Sequence, residues 1–229
     1  MRQARPSRLN LARESKAARR LRAAALARAL GRTYPDAWCE LVYTTPWELL
    51  VATILSAQCT DKMVNQVTPE LFATYPGPAD LAAAPVERVE ALIKRTGFFR
   101  QKTKAIRAVA QAVAGEFAGR VPDDMAVLTQ LPGVGRKTAN VVLGTAFGRP
   151  AIFVDTHVTR LANRLGLTVE ENPVKIERDL MELLPEKAWT HFAHRLIHHG
   201  RRVCGARKPR CSTCTLARWC PQMGVAASA

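Results

Sequence analysis

The stretch Leu131-Pro132-Gly133-Val134-Gly135-Arg136-Lys137-Thr138-Ala139 constrains this chain more than any other. Residues 126–131 predict a short helix, and Pro132 stops it because its ring removes a backbone donor and collides with the preceding turn. A hairpin has to follow. Gly133 and Gly135 allow positive φ there, and both let a foreign backbone approach with no Cβ in the way. The amides that open the next helix, predicted over 138–147, then point outward without intrahelical partners and form an anion site suited to phosphate. Lys137 stands at the positive end of that helix, where the ammonium form is penalised and the free amine, a nucleophile, is favoured. The same residues also read as a plain phosphate-binding hairpin with Lys137 as a point charge. The stretch by itself leaves the two open.

Charge narrows the partner. The 229 residues carry a net charge of +15 and an isoelectric point near 10.3, which implies a polyanion, either nucleic acid or an anionic membrane surface. No apolar run approaches the roughly 18 residues that span a bilayer, so nucleic acid is favoured and no membrane partner is expected. Hydrophobic residues make up 48% of the chain, enough to bury a core in one large or two modest domains. Residues 1–32 hold ten Lys or Arg against a single acid, Glu14. They read as a basic arm that adds non-specific DNA affinity, with a helix over 21–30, or as an Arg-rich, acid-poor organelle transit peptide.

Residues 47–59 are apolar almost all round and predict a central buried helix. Its polar end, Ser56-Ala57-Gln58-Cys59-Thr60-Asp61, reads on its own as a solvated terminus. Further helices are expected over 63–75, 85–95, from the loop Thr96-Gly97-Phe98-Phe99 through 117, and over 157–165, 173–184 and 189–200. Two adjacent aromatics in that loop are costly to expose, and Phe99 is expected in the core. Asp155, in Val154-Asp155-Thr156-His157, is first of all an N-cap. A carboxylate held by backbone donors stays ionised, which also suits it to face a developing positive charge. At about 4 Å and an effective dielectric near 20 that attraction is on the order of 4 kcal/mol, roughly a thousandfold in rate. His191, His194 and His198 share one helical face, readable either as metal ligands or as packing.

Four of the six cysteines fall in Cys204-x6-Cys211-x2-Cys214-x5-Cys220, while Cys39 and Cys59 lie in apolar helical surroundings. This distribution reads as an intracellular metal site rather than a disulfide framework. Four thiolates suit zinc or an iron–sulfur cluster. A single Cys-x-x-Cys flanked by longer gaps departs from the paired pattern of zinc ribbons and leans toward iron–sulfur. Arg207, Lys208 and Arg210 lie between the first two cysteines, so a loop made rigid by metal would present three cations to phosphate.

The hairpin stretch followed by Val154-Asp155-Thr156-His157-Val158 resembles the helix-hairpin-helix motif and catalytic pair of the endonuclease III family of bifunctional DNA glycosylases. The cysteine spacing is that of the same family's 4Fe-4S loop, and the resemblance runs from about residue 35 to 221. It implies an all-α fold of about ten helices in two domains: a six-helix barrel over 39–149 that carries the hairpin, and an iron–sulfur domain from both chain ends, 21–38 and 150–229. Residues 1–20 remain as the basic arm. It implies Lys137 as nucleophile and Asp155 facing it across the cleft between the domains. Gly133, Gly135, Arg136, Arg207, Lys208 and Arg210 would hold the DNA backbone. Gln58 matches the glutamine that fills the gap left by an extruded base. Phe98 matches a wedge position where the family usually carries Leu, and it keeps an apolar wedge. Cys204, Cys211, Cys214 and Cys220 would ligate the 4Fe-4S cluster, and the histidines would pack.

The implied activity is removal of oxidised or ring-saturated pyrimidines from double-stranded DNA, with cleavage 3′ to the abasic site, by an intracellular monomer. Two rivals differ in sequence terms. The related adenine glycosylase carries a carboxylate on the helix before the glutamine, and residues 50–59 contain none. A non-catalytic DNA-binding scaffold with a structural metal requires that Lys137→Gln leave every function intact.

Overall fold

A computed structural model describes residues 14–225 and contains eleven α-helices and no strand among them. The chain divides into two units: one spans Cys39–Arg149, and the other is built from both chain ends, up to Trp38 and from Pro150 onward. No helix among the described residues is long and apolar enough to cross a membrane.

The Cys39–Arg149 unit is assembled around α2 (Pro46–Leu55). Thr45 caps it by accepting from the Glu48 amide at 3.2 Å, and the Glu48 carboxylate accepts from the Thr44 amide at 2.6 Å. Glu48 thus reaches back one residue beyond the cap, and the Thr45 hydroxyl supplies the capping bond itself. Trp47, Leu49, Leu50, Val51, Ala52, Ile54 and Leu55 are all buried, because α2 is covered by α3 (Asp61–Thr74), α6 (Phe99–Glu116) and α8 (Arg136–Ala146). α4 (Pro78–Ala83) and α5 (Val86–Ile93) pack on α6, and the four-residue α7 (Met125–Leu128) packs on α8. Phe99 is partly buried against this core, as its sequence predicts.

The predicted central helix is shorter than its apolar run. It ends at Leu55, because Ser56 turns its hydroxyl onto the Thr53 carbonyl and the Cys59 amide closes a turn onto the Ser56 carbonyl. Gln58 therefore stands in that turn, with φ 52°, and not on the helix. The 126–131 helix is likewise reduced to α7, three residues short of Leu131.

In the other unit, α1 (Lys16–Thr33) lies on α10 (Pro173–Leu183) and α11 (Trp189–Arg202), and α9 (Thr156–Arg164) packs on α11. Of the arm expected at 1–20, residues 1–13 lie outside the described residues and residues 16–20 belong to α1. Arg22 is buried there. It donates to the Leu165 and Gly166 carbonyls at the end of α9 and to the Glu14 carboxylate, so part of the basic charge supports the fold.

Candidate nucleic-acid interface and metal centre

The hairpin follows from its residues. The Val134 amide bonds the Leu131 carbonyl at 3.1 Å, with Pro132 and then Gly133 in the central positions and Gly133 at φ 74°. That is a type II turn, whose third residue needs positive φ. A Cβ at Gly133 would also stand 3.2 Å from the Ala105 Cβ. Gly135 differs from expectation: its φ is −87°, and it serves as the N-cap of α8 with no side-chain capping bond. Space is open around it, since a Cβ there meets nothing within 4 Å. No side chain caps the start of α8, and the helix dipole adds positive potential at the Lys137 and Thr138 amides. Lys137 is the second residue of this helix, which begins two residues earlier than predicted, and it is exposed beside an exposed Arg136. Among the described residues the Lys137 side chain takes part in no hydrogen bond or ion pair.

Gln58 and Phe98 line one depression within the same unit, together with Ile54, Gln101, Lys102 and Gly133. Both are exposed and both have left-handed backbones, with φ 52° and 47°. For residues other than glycine this conformation is strained, and such strain concentrates where function requires a fixed geometry. Nothing in composition or periodicity marks these two positions.

In the other unit, Asp155 is the N-cap of α9: its carboxylate accepts from the Val158 amide at 2.8 Å. The cap reading of the sequence is thus observed, and the half-buried carboxylate keeps one oxygen for other partners.

Cys204, Cys211, Cys214 and Cys220 form no disulfide among the described residues and line a single cavity, with Leu161, Leu165, Val203 and Leu216 completing an apolar wall. Burial pushes the Cys220 thiol up to about 11 and raises Cys214 as well. Thiols of this kind become thiolates when a cationic core binds them. Donors already point at the sulfurs: Arg164 Nη1 at 3.3 Å from Cys204 Sγ, the Leu216 amide at 3.4 Å from Cys214 Sγ, and the Gln222 amide at 3.4 Å from Cys220 Sγ. His199 Nε2 lies 3.5 Å from Cys214 Sγ while its Nδ1 meets the Tyr34 hydroxyl at 2.9 Å. Four sulfurs lining one apolar cavity form a donor set suited to a thiolate-held metal centre. Arg207, Lys208 and Arg210 are exposed on this loop, and the Pro209 among them is buried.

The histidines of α11 are packing groups. His194 lies 4.7 Å from the Phe153 ring and 4.8 Å from Trp38, and His198 Nε2 donates to the Trp38 carbonyl at 3.0 Å. Sequence reasoning missed Lys102, which reads as one more solvated lysine of an amphipathic helix. It also missed Arg164, Tyr34 and His199 around the sulfurs, because their partners are far away in sequence.

Comparison with known proteins agrees with this geometry. Residues 51–186 match the family described as HhH-GPD superfamily base excision DNA repair protein. Endonuclease III of Synechocystis sp. is 53% identical over 206 residues, covering 90% of this chain and 94% of the relative. The solved structure of a non-covalent endonuclease III–DNA complex superposes with a TM-score of 0.85 at 43% identity, covering 89% of this chain and 95% of that one. A trapped endonuclease III–DNA covalent intermediate gives the same TM-score at 42% identity, covering 89% and 96%.

Proposed function

This chain belongs to the endonuclease III family, and from that membership and the site geometry we propose how its residues divide the work of a DNA glycosylase and abasic-site lyase of base excision repair. The amides that open α8, with Arg136, hold a phosphate of double-stranded DNA, and Arg207, Lys208 and Arg210 hold the backbone elsewhere. Gln58 and Phe98 occupy the space left in the duplex when a damaged pyrimidine is extruded. The substrates are oxidised or ring-saturated pyrimidines and abasic sites, and the protein acts as an intracellular monomer. The observation that carries this reading is the uncapped amino end of α8, which presents an exposed Lys137 in its first turn.

In the chemical step the free amine of Lys137 attacks C1′. The glycosidic C–N bond breaks with its electron pair leaving on the base, which takes up a proton. Ring opening and loss of a proton from nitrogen give a Schiff base, and the conjugated iminium acidifies C2′–H. Loss of that proton expels the 3′ phosphate with its C–O electron pair, so the strand is cut by β-elimination. Asp155, fixed by its bond to the Val158 amide, stabilises the positive charge that develops on the sugar. Cys204, Cys211, Cys214 and Cys220 would hold the 4Fe-4S cluster, which when bound serves as a rigid cross-link for the loop bearing the three cations.

Incubation with a duplex carrying thymine glycol tests the reading through its products. It requires release of the free base and a 3′ end bearing an unsaturated aldehyde. Release of base with an intact strand would reduce the protein to a monofunctional glycosylase, and binding with neither product would favour a non-catalytic scaffold.

A further inference from the structure

Lys102 takes no part in the chemistry above, yet its surroundings are unusual for a lysine. It sits in the first turn of α6 with 5% of its surface exposed, and burial pulls its pKa below the ordinary lysine value, with Cys59 opposing that shift. Its Nζ donates to the Thr96 carbonyl at 2.8 Å, and its backbone amide donates to the Phe98 carbonyl at 3.1 Å. Gly97, at φ 70°, lies between those two carbonyls, and Phe98 follows at φ 47° and ψ 29°. One residue thus ties both sides of a two-residue turn of positive φ, in which Phe98 is left-handed. Thr96 gives the clamp a fixed base, being buried with its hydroxyl on the Ile93 carbonyl at 2.8 Å. No side-chain cap holds Phe98 at the start of α6, and the residue is 61% exposed, so neither capping nor burial explains why it stays left-handed.

A phenylalanine prefers the right-handed or extended backbone by an amount comparable to a single charge-assisted hydrogen bond sheltered from water. The ammonium of Lys102 supplies such a bond at the point where the turn begins. We propose that Lys102 is the positioning residue for Phe98: it holds the Gly97–Phe98 turn in the form from which the ring enters the duplex. Its side chain lines the same depression as Gln58 and Phe98, so its position is set relative to both. This inference rests on the reading of Phe98 as the wedge.

The test is a double-mutant cycle on the cluster-loaded enzyme, with wild type, Phe98→Ala, Lys102→Met and the double variant. Single-turnover excision from a thymine glycol duplex is measured against cleavage of a single-stranded abasic oligonucleotide, which offers no duplex to open. The expected result is a fall of about tenfold in the duplex-to-single-strand ratio for each single variant, with the double no worse than Phe98→Ala alone. An unchanged ratio in Phe98→Ala would contradict the wedge reading itself. A loss in Phe98→Ala with a wild-type ratio in Lys102→Met, or additive losses in the double variant, would overturn the role of Lys102 and leave the wedge standing. If Lys102→Met lacks a cooperative melting transition, Lys102→Gln, whose amide has a shorter reach, replaces it in the same cycle and is read by the same criteria.

Discussion

Gln58 and Phe98, forty residues apart in sequence, line the same depression with the same left-handed backbone, at φ 52° and 47°. Each conformation costs on the order of 1–2 kcal/mol for an ordinary residue, and glycine does not bear it. Phe98→Gly and Gln58→Gly are each expected to raise stability, by about 1 kcal/mol at most, because both side chains are exposed and lose little packing. Both should slow excision from duplex DNA. Chemical denaturation and single-turnover kinetics on the same preparations check the pair; a variant that gains stability and keeps full activity would mean that the strain serves no purpose at that site.

Asp155 has two duties that substitution can separate. Asn keeps a good N-cap and removes the charge, whereas Ala removes both. Asp155→Asn should melt within a degree or two of wild type and lose roughly a thousandfold in excision rate, while Asp155→Ala should lose about 1 kcal/mol of stability in addition. Equal activity in Asp155→Asn and wild type would leave Asp155 as a cap alone.

Gly200 marks where α11 meets α9. A Cβ at that position would stand 2.8 Å from His157 Nδ1 and 3.1 Å from Arg160 Nη2. Arg160 also donates to the Gly200 carbonyl at 3.2 Å and the Cys204 carbonyl at 3.1 Å, so displacing it disturbs the approach to the first cysteine. Gly200→Ala is expected to cost about 1–3 kcal/mol, as overpacking does, and to lower the iron content of the purified protein. Melting temperature and iron analysis read the two effects.

The helical class, most helix positions and the cap at Asp155 were legible because apolar spacing and capping chemistry are local. The α2 boundary was not: the apolar run continues to Cys59, but a hydroxyl on Ser56 and a turn at Gln58 end the helix at Leu55. Gly135 was legible in one respect only: the space around it is open to an approaching backbone, as read, but its φ is negative because it serves as the N-cap of α8. Lys102 was invisible because burial of a lysine depends on which loop folds over it. The left-handed state of Phe98 is stabilised by that same buried side chain, so it too is a property of the folded structure.

Acid should destabilise the unit that contains α11. Burial first, and then His198 and His191, pull the His194 imidazole down to about 3, against an unfolded value near 6.5. A depressed base is neutral in the native state, so its contribution is complete above about pH 6.5 and is lost as pH falls toward 3. Between pH 7.5 and 5 the loss amounts to roughly 2 kcal/mol from this group, read as a fall in melting temperature. His194→Phe, which keeps an aromatic ring in the Trp38–Phe153 contact, should flatten that part of the profile.

The central claim is that Lys137 bonds covalently to the sugar. Purified, cluster-loaded protein is mixed with a thymine glycol duplex and borohydride, in wild type and in Lys137→Gln, and the mixture is resolved for a protein–DNA adduct. The account predicts an adduct in wild type, none in Lys137→Gln, and wild-type DNA affinity within about tenfold in the variant, since a single phosphate-range cation is lost. An adduct that persists in Lys137→Gln would assign the nucleophile to another amine, and a wild-type protein that binds and excises without ever forming one would contradict the Schiff-base mechanism.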